Sequence, residues 1–255
     1  MEYKETFHPE SGEIKNRIVN YWTKRSHDFS SLREKEQESE TGRAWLTEIL
    51  QNIPAQKSLK ILDVGCGTGM FALMLSALGH DATGIDLTEH MILHARELAG
   101  KQHSSAKFFC MDAENPAFAD NTFDVILTRN LTWTLPHAEQ AYTQWFRILK
   151  SGGILLNFDA DYGHDSCNKN VNELPSEHAH RSMPSEMLLE CESIKSQLSI
   201  SNQSRPAWDV QLLQKIGYTT ISADIGISAR IYRQCNEFYN PTPMFLIRAE
   251  KPYSF

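Results

Sequence analysis

Between Leu59 and Phe158 the chain alternates short apolar runs with segments of helical spacing. The runs "LKILDV" (59–64), "DATGID" (81–86), "AKFFC" (106–110), "FDVILT" (123–128) and "GILLNF" (153–158) read as strands. Three segments between them read as helices. "GMFALMLSALG" places Phe71, Leu75 and Leu78 at helical spacing, "TEHMILHARELAG" does so with Met91, Leu93, Ala95 and Leu98, and "AEQAYTQWFRILKSGG" leads into the fifth strand. Alternating β and α units predict an α/β fold with a parallel sheet covered by helices on both faces. Gly79, Gly100 and Gly152 fall where helices are expected to stop.

The flanks follow other rhythms. Residues 1–58 read as a helical cover, with apolar spacing of three and four in "EIKNRIVNYWTKRSHDF" and "TGRAWLTEILQNI". The charged stretch between them, "SLREKEQESE", reads as a solvated face or loop. Residues 59–255 form the α/β domain, interrupted at about 160–205 by a polar, turn-rich insertion that ends in the helical "EMLLECESIKSQLSI". A helix ("AWDVQLLQKIG"), a strand near 218–225 and another near 243–249 complete the pattern.

Composition narrows the partners. A net charge of −7 over 255 residues argues against a nucleic-acid footprint, because phosphate binding needs a basic face. Cys66, Cys110, Cys167, Cys191 and Cys235 are odd in number, far apart and without a CxxC pair, so a reduced cytoplasmic setting is expected. The N-terminal "MEYKETFHPESGEIKNR" lacks an apolar core of the signal-peptide kind, and no apolar run approaches the ~20 residues of a membrane helix. No membrane insertion is expected.

The chemistry concentrates in "KILDVGCGTGMFA". A triphosphate loop needs GxxxxGK[ST], yet Met70 and Phe71 follow Gly69. A dinucleotide site needs GxGxxG, and Gly65-x-Gly67-x-Gly69 misses that spacing. "LDVGCGTG" instead resembles motif I of class I S-adenosylmethionine (SAM)-dependent methyltransferases. Glycines let the backbone approach the ligand at positive φ, and Asp63 would receive an ammonium that a phosphate ligand could not offer. Asp86, 17 residues after Gly69, would accept from ribose hydroxyls, a feature shared with NAD enzymes. The resemblance implies that Asp112 and the backbone of Ala113 hold adenine, with Cys66, Leu87 and Met91 also against the cofactor. "FDVILTRNLTWTL" resembles motif IV, which brings in Arg129 and Asn130, and "RILKSGGILL" resembles the turn before strand five. Upstream, "NYWTKRSHDFS" is similar to a segment of small-molecule members, including relatives of the menaquinone- and ubiquinone-biosynthesis enzymes. It implies Tyr21 and Arg25 over the methionine end, Arg25 toward its carboxylate; the other reading makes Tyr21 and Trp22 core residues of a covering helix.

The implied fold is a Rossmann-like, doubly wound, seven-stranded sheet of order 3-2-1-4-5-7-6 with strand seven antiparallel. The implied function is transfer of the SAM methyl to a small-molecule acceptor by in-line displacement, leaving S-adenosylhomocysteine. Trp133 and Tyr162 are candidates for the substrate pocket, with plain packing as the other reading. If a general base is needed, His137, His164, His178, Asp159 and Asp161 are the candidates, and none stands out. His164, Cys167, His178 and His180 match no standard zinc spacing, so no metal is expected. No Asn-Pro-Pro-Tyr motif follows strand four, which argues against exocyclic amines of nucleobases. Two alternatives stay open: an NAD(P)-dependent oxidoreductase, for which no Tyr-x-x-x-Lys set is present, and a SAM-binding protein without turnover.

Overall fold

A computed structural model describes residues 9–55, 58–165, 174, 175, 178, 181 and 183–253. Seven strands form one sheet: β1 (Lys60–Val64), β2 (Asp81–Asp86), β3 (Lys107–Cys110), β4 (Phe123–Arg129), β5 (Leu149–Ala160), β6 (Thr219–Asp224) and β7 (Met244–Glu250). Their order is β3-β2-β1-β4-β5-β7-β6. The first five run parallel, and β7 is antiparallel to both β5 and β6. The central strands are apolar along their length because helices cover both faces, as a parallel sheet requires.

Eight helices accompany the sheet among the described residues: α1 (Pro9–Glu38), α2 (Glu40–Asn52), α3 (Met70–Ala77), α4 (Glu89–Lys101), α5 (Ala138–Ile148), α6 (Ser185–Ser196), α7 (Ala207–Ile216) and the short α8 (Ile227–Ile231). Trp45, Phe71 and Phe158 anchor the core on one face; Tyr142 and Trp145 anchor the other. Helix α3 is buried from Met70 through Ser76, which explains why its residues are apolar nearly all round.

Three local expectations need correction. The charged stretch 31–40 is no loop: α1 runs through it to Glu38, and Glu36 within it is fully buried. The chain then corners at Ser39, whose hydroxyl accepts from the Gly42 amide at 3.2 Å. A Cβ on Gly42 would strike the backbone carbonyl oxygens of Glu36 and Gln37. Gly100 lies inside α4 rather than after it, and the left-handed residue beyond the helix is His103. Gly152 lies inside β5, which begins at Leu149; its amide donates to the Lys251 carbonyl at 2.9 Å. Gly79 does follow α3, at φ +89°.

Candidate active site

A cavity of about 270 Å³ opens at the carboxyl ends of β1, β2 and β4, where open α/β sheets hold ligands. Its floor is the turn between β1 and α3. Gly65, Gly67 and Gly69 have φ of +66°, +52° and +87°. A Cβ on Gly65 would come within 2.7 Å of Leu131, and one on Gly67 within 3.1 Å of the Phe29 ring. The turn thus forms a cradle that side chains would fill, as close approach of a ligand to backbone demands.

Two carboxylates frame this turn. Asp86 accepts from the Gly67 amide at 3.0 Å and the Thr88 amide at 2.8 Å. Asp63 accepts from the Ala72 amide at 3.2 Å. Burial pushes the Asp63 carboxyl up to about 7, with nearby Asp86 adding to the rise. Burial also raises Asp86. The Cys66 thiol is pushed well above its ordinary range by burial and both carboxylates, which removes it as a thiolate nucleophile.

At the far end of the cavity Asp112, Ala113, Leu87 and Met91 line the wall. Asp112 does not stand free there. The Lys15 ammonium from α1 reaches Asp112 at 2.6 Å and the buried Glu114 at 2.5 Å. Lys15 was not expected at the site.

At the end of β4, Arg129 lines the cavity, but its guanidinium faces Glu36 at 2.8 and 3.1 Å. It stacks 4.3 Å from the centre of the Trp45 ring. Arg33 pairs with the same carboxylate, and the Trp45 indole donates to it at 3.2 Å. Burial disfavours the Glu36 charge, yet the Arg129 and Arg33 guanidiniums hold its carboxyl below the ordinary range. Arg129 is therefore bound to the protein first, and its Nε is buried without a hydrogen-bond partner.

The next residue, Asn130, sits in the left-handed region at φ +54°. Its side-chain oxygen accepts from the Tyr162 hydroxyl at 2.9 Å, and its carbonyl accepts from the Trp133 indole at 3.0 Å. The Trp133 and Tyr162 rings lie 5.0 Å apart, and Asn240 donates to the Tyr162 hydroxyl at 2.6 Å. These contacts fix an aromatic wall. Helix α1 contributes Tyr21, Trp22, Arg25 and Phe29 to the lining. Trp22 does both: it packs against the core cluster and lines the cavity. Arg25 donates to the Tyr21 hydroxyl at 3.3 Å and lies 5.5 Å from the centre of the Trp22 ring.

The proposed bases separate. His178 is buried, lines the cavity and contacts the Tyr239 carbonyl through Nε2 at 2.8 Å; burial lowers its pKa. Of the two readings open for Asp159, base or structural residue, its surroundings fit the structural one. It is fully buried outside the cavity wall, accepting from Arg205 at 3.1 Å, from the Trp133 amide at 3.0 Å and from the Thr132 hydroxyl. Asp161 and His164 pair with each other at 2.9 Å, and neither lines the cavity. His137 stands at the start of α5, where its amide donates to Glu114 at 2.6 Å. Cys167 and His180 lie outside the described residues. Among the described residues no three His, Cys, Asp or Glu side chains gather as a metal site, and no helix is long and apolar enough to cross a membrane.

Sequence reading also missed the loop 237–242, which contributes six consecutive cavity residues. It carries no periodic pattern. For Glu36 a signal existed: Trp22, Arg25, Phe29, Leu32 and Glu36 continue one helical stripe into the charged stretch.

Residues 62–157 match the family model described as a methyltransferase domain. The malonyl-[acyl-carrier protein] O-methyltransferase of Pectobacterium atrosepticum is 31% identical over 107 residues, 42% of this chain and 41% of that protein. The demethylmenaquinone methyltransferase of Desulfitobacterium hafniense is 31% identical over 122 residues, 46% and 48% of the two chains. The chain thus spans less than half the length of either relative. Among solved structures, Haemonchus contortus phosphoethanolamine N-methyltransferase 2 in complex with S-adenosyl-L-methionine aligns with a TM-score of 0.58 at 18% identity, covering 81% of this chain and 52% of that one.

Proposed function

Since residues 62–157 match a methyltransferase-domain model and the sheet has the order that the resemblance implies, we propose that the chain binds SAM and moves a methyl group to a small-molecule acceptor. The observation that carries this reading is the cradle of Gly65 and Gly67 with Asp63, Asp86 and Asp112 around one cavity. The fit is chemical as well as steric. A cationic, phosphate-free ligand suits a turn flanked by carboxylates, and the turn has no lysine for a phosphate.

In this reading Asp86 holds the ribose hydroxyls, and Asp63 with the glycine backbone holds the amino-acid end. Asp112 and the Ala113 backbone hold adenine, for which the Lys15 ammonium must share or yield the Asp112 carboxylate. Tyr21 and Arg25 close over the carboxylate from α1. When bound, SAM supplies an electrophilic methyl on a sulfonium. The protein's part is alignment and exclusion of water, and orientation of this kind contributes up to ~7–11 kcal/mol in favourable cases. Of the expected bases, His178 alone lines the cavity, so it is the side chain placed to take an acceptor proton. The names of the two curated relatives and the solved structure specify three different acceptors, so they do not choose one here.

Calorimetric titration with SAM, S-adenosylhomocysteine and NAD tests this reading. Micromolar binding of the first two is expected, weakened roughly tenfold or more in Asp86→Ala, whose melting temperature is recorded alongside. NAD binding without SAM binding would restore the oxidoreductase. SAM binding with no label transferred from methyl-labelled SAM to any compound of a metabolite extract would favour the binding protein without turnover.

A further inference from the structure

The charges lining the cavity are unevenly paired. Lys15 lies on Asp112 and Glu114, while Arg33 and Arg129 share Glu36. Arg25, the fourth described cation, rests on Tyr21 and Trp22. Among the carboxylates, Asp63 and Asp86 accept backbone amides of the turn and of the helices that follow, and Asp165 accepts from the Thr242 hydroxyl at 2.8 Å. Glu237 differs from all of these. It lines the cavity and makes no hydrogen bond or ion pair among the described residues.

The loop that carries Glu237 is anchored at several points. The Tyr239 carbonyl contacts His178 at 2.8 Å, Asn240 donates to the Tyr162 hydroxyl at 2.6 Å, and the Thr242 amide donates to Asn240 at 3.1 Å. Of these contacts, the one from Asn240 joins the loop to the Trp133–Tyr162 wall. Tyr239 in turn meets Tyr232 edge-on at 5.9 Å. The unpaired, half-buried carboxylate thus stands two residues before Tyr239 in a loop fastened to the wall at Asn240. Aromatic faces are electronegative, so rings and carboxylate both favour a positive ligand group. Of the four cations, three are already paired with carboxylates, so an anionic group in this cavity would have to recruit Arg25.

We propose that the methyl acceptor carries an ammonium group, held between Glu237 and the aromatic wall of Trp133, Tyr162 and Tyr239. This assignment rests on the methyltransferase reading and adds the charge class of the substrate.

Binding of three ring-matched probes to the protein, with and without saturating S-adenosylhomocysteine, tests it: benzyltrimethylammonium, benzyl alcohol and benzoate. The cation is expected to bind roughly tenfold or more tightly than either other probe. Glu237→Gln should remove most of that preference while leaving S-adenosylhomocysteine affinity unchanged. Trp133→Leu should weaken the cation more than the alcohol. Equal or tighter binding of benzoate would overturn the proposal and hand Arg25 to the acceptor. Indifference of the cation to Glu237→Gln, or failure of all three probes to bind, would overturn it as well. Absence of S-adenosylhomocysteine binding would fail the cofactor reading instead, and the titrations without it would still read the wall.

Discussion

Asp63 is a carboxylate placed where its charge is costly. Burial lifts its pKa from 3.8 to about 7. Within that window the unfolded chain has released a proton that the folded protein keeps, so stability falls as pH rises and levels off above it. Asp63→Asn should therefore flatten the fall in melting temperature between pH 5 and pH 8. The same substitution should weaken SAM. In the wild type, SAM affinity should climb from pH 6 to pH 8 as the carboxylate ionises, which calorimetry at several pH values would read. Gly65 has a second kind of cost built in. Gly65→Ala forces a left-handed alanine against Leu131 and should lose about 1–2 kcal/mol from the backbone alone, measured by urea unfolding. Leu131→Ala in the same chain should recover part of any loss beyond that. Both positions were legible in the sequence, because glycine spacing and a strand-end acid are local signals. Asp159 was misleading for the opposite reason. Its partner Arg205 is 46 residues away, and only the folded chain shows the pair.

At the scale of elements, α1 is the piece whose role sequence underestimated. Lys15 ties it to the loop after β3, Arg17 ties it to Glu190 of α6 at 2.8 and 2.9 Å, and Glu36 ties it to the end of β4. One helix thus spans the cavity from the proposed adenine end to Arg129. Removing one partner of a buried ion pair leaves the other uncompensated, at a typical cost of ~3–5 kcal/mol. Glu36→Gln should lose stability on that scale and expose α1 to limited proteolysis. Glu34→Gln, on the exposed face of the same helix, should stay within about 0.5 kcal/mol of the wild type. The stretch read as solvated because charge runs usually are. The helical stripe marks Glu36 as facing inward, but the arginine that pairs with it lies 93 residues further along.

Over the whole molecule, the strands and their order were legible: buried parallel strands are continuous apolar runs, and the glycine motif implied the order. The proposed acceptor side was legible only in part: Trp133, Tyr162 and His178 were singled out, and the loop 237–242 was not. This side is assembled from the loop after β4, the turn after β5, the insertion with its helix α6, and the loop 237–242, and no pattern in the sequence brings these parts together. A polar network behind the wall joins several of these parts. Arg205 bridges Asp159 and Asp209, while Asn157 donates to the Tyr142 hydroxyl, itself bonded to Asp209.

The position of β7 bears on how the molecule is made. It is the last strand in chain order, yet it pairs with β5 on one side and β6 on the other. As the chain is synthesised, β3, β2, β1, β4 and β5 can pair while later residues are still being added. The outer edge of β5 must then wait from Ala160 until Met244 and its neighbours arrive. At ordinary elongation rates that is roughly 4–17 seconds. For those seconds the newborn protein carries a bare strand edge, open to any other strand that reaches it before its own.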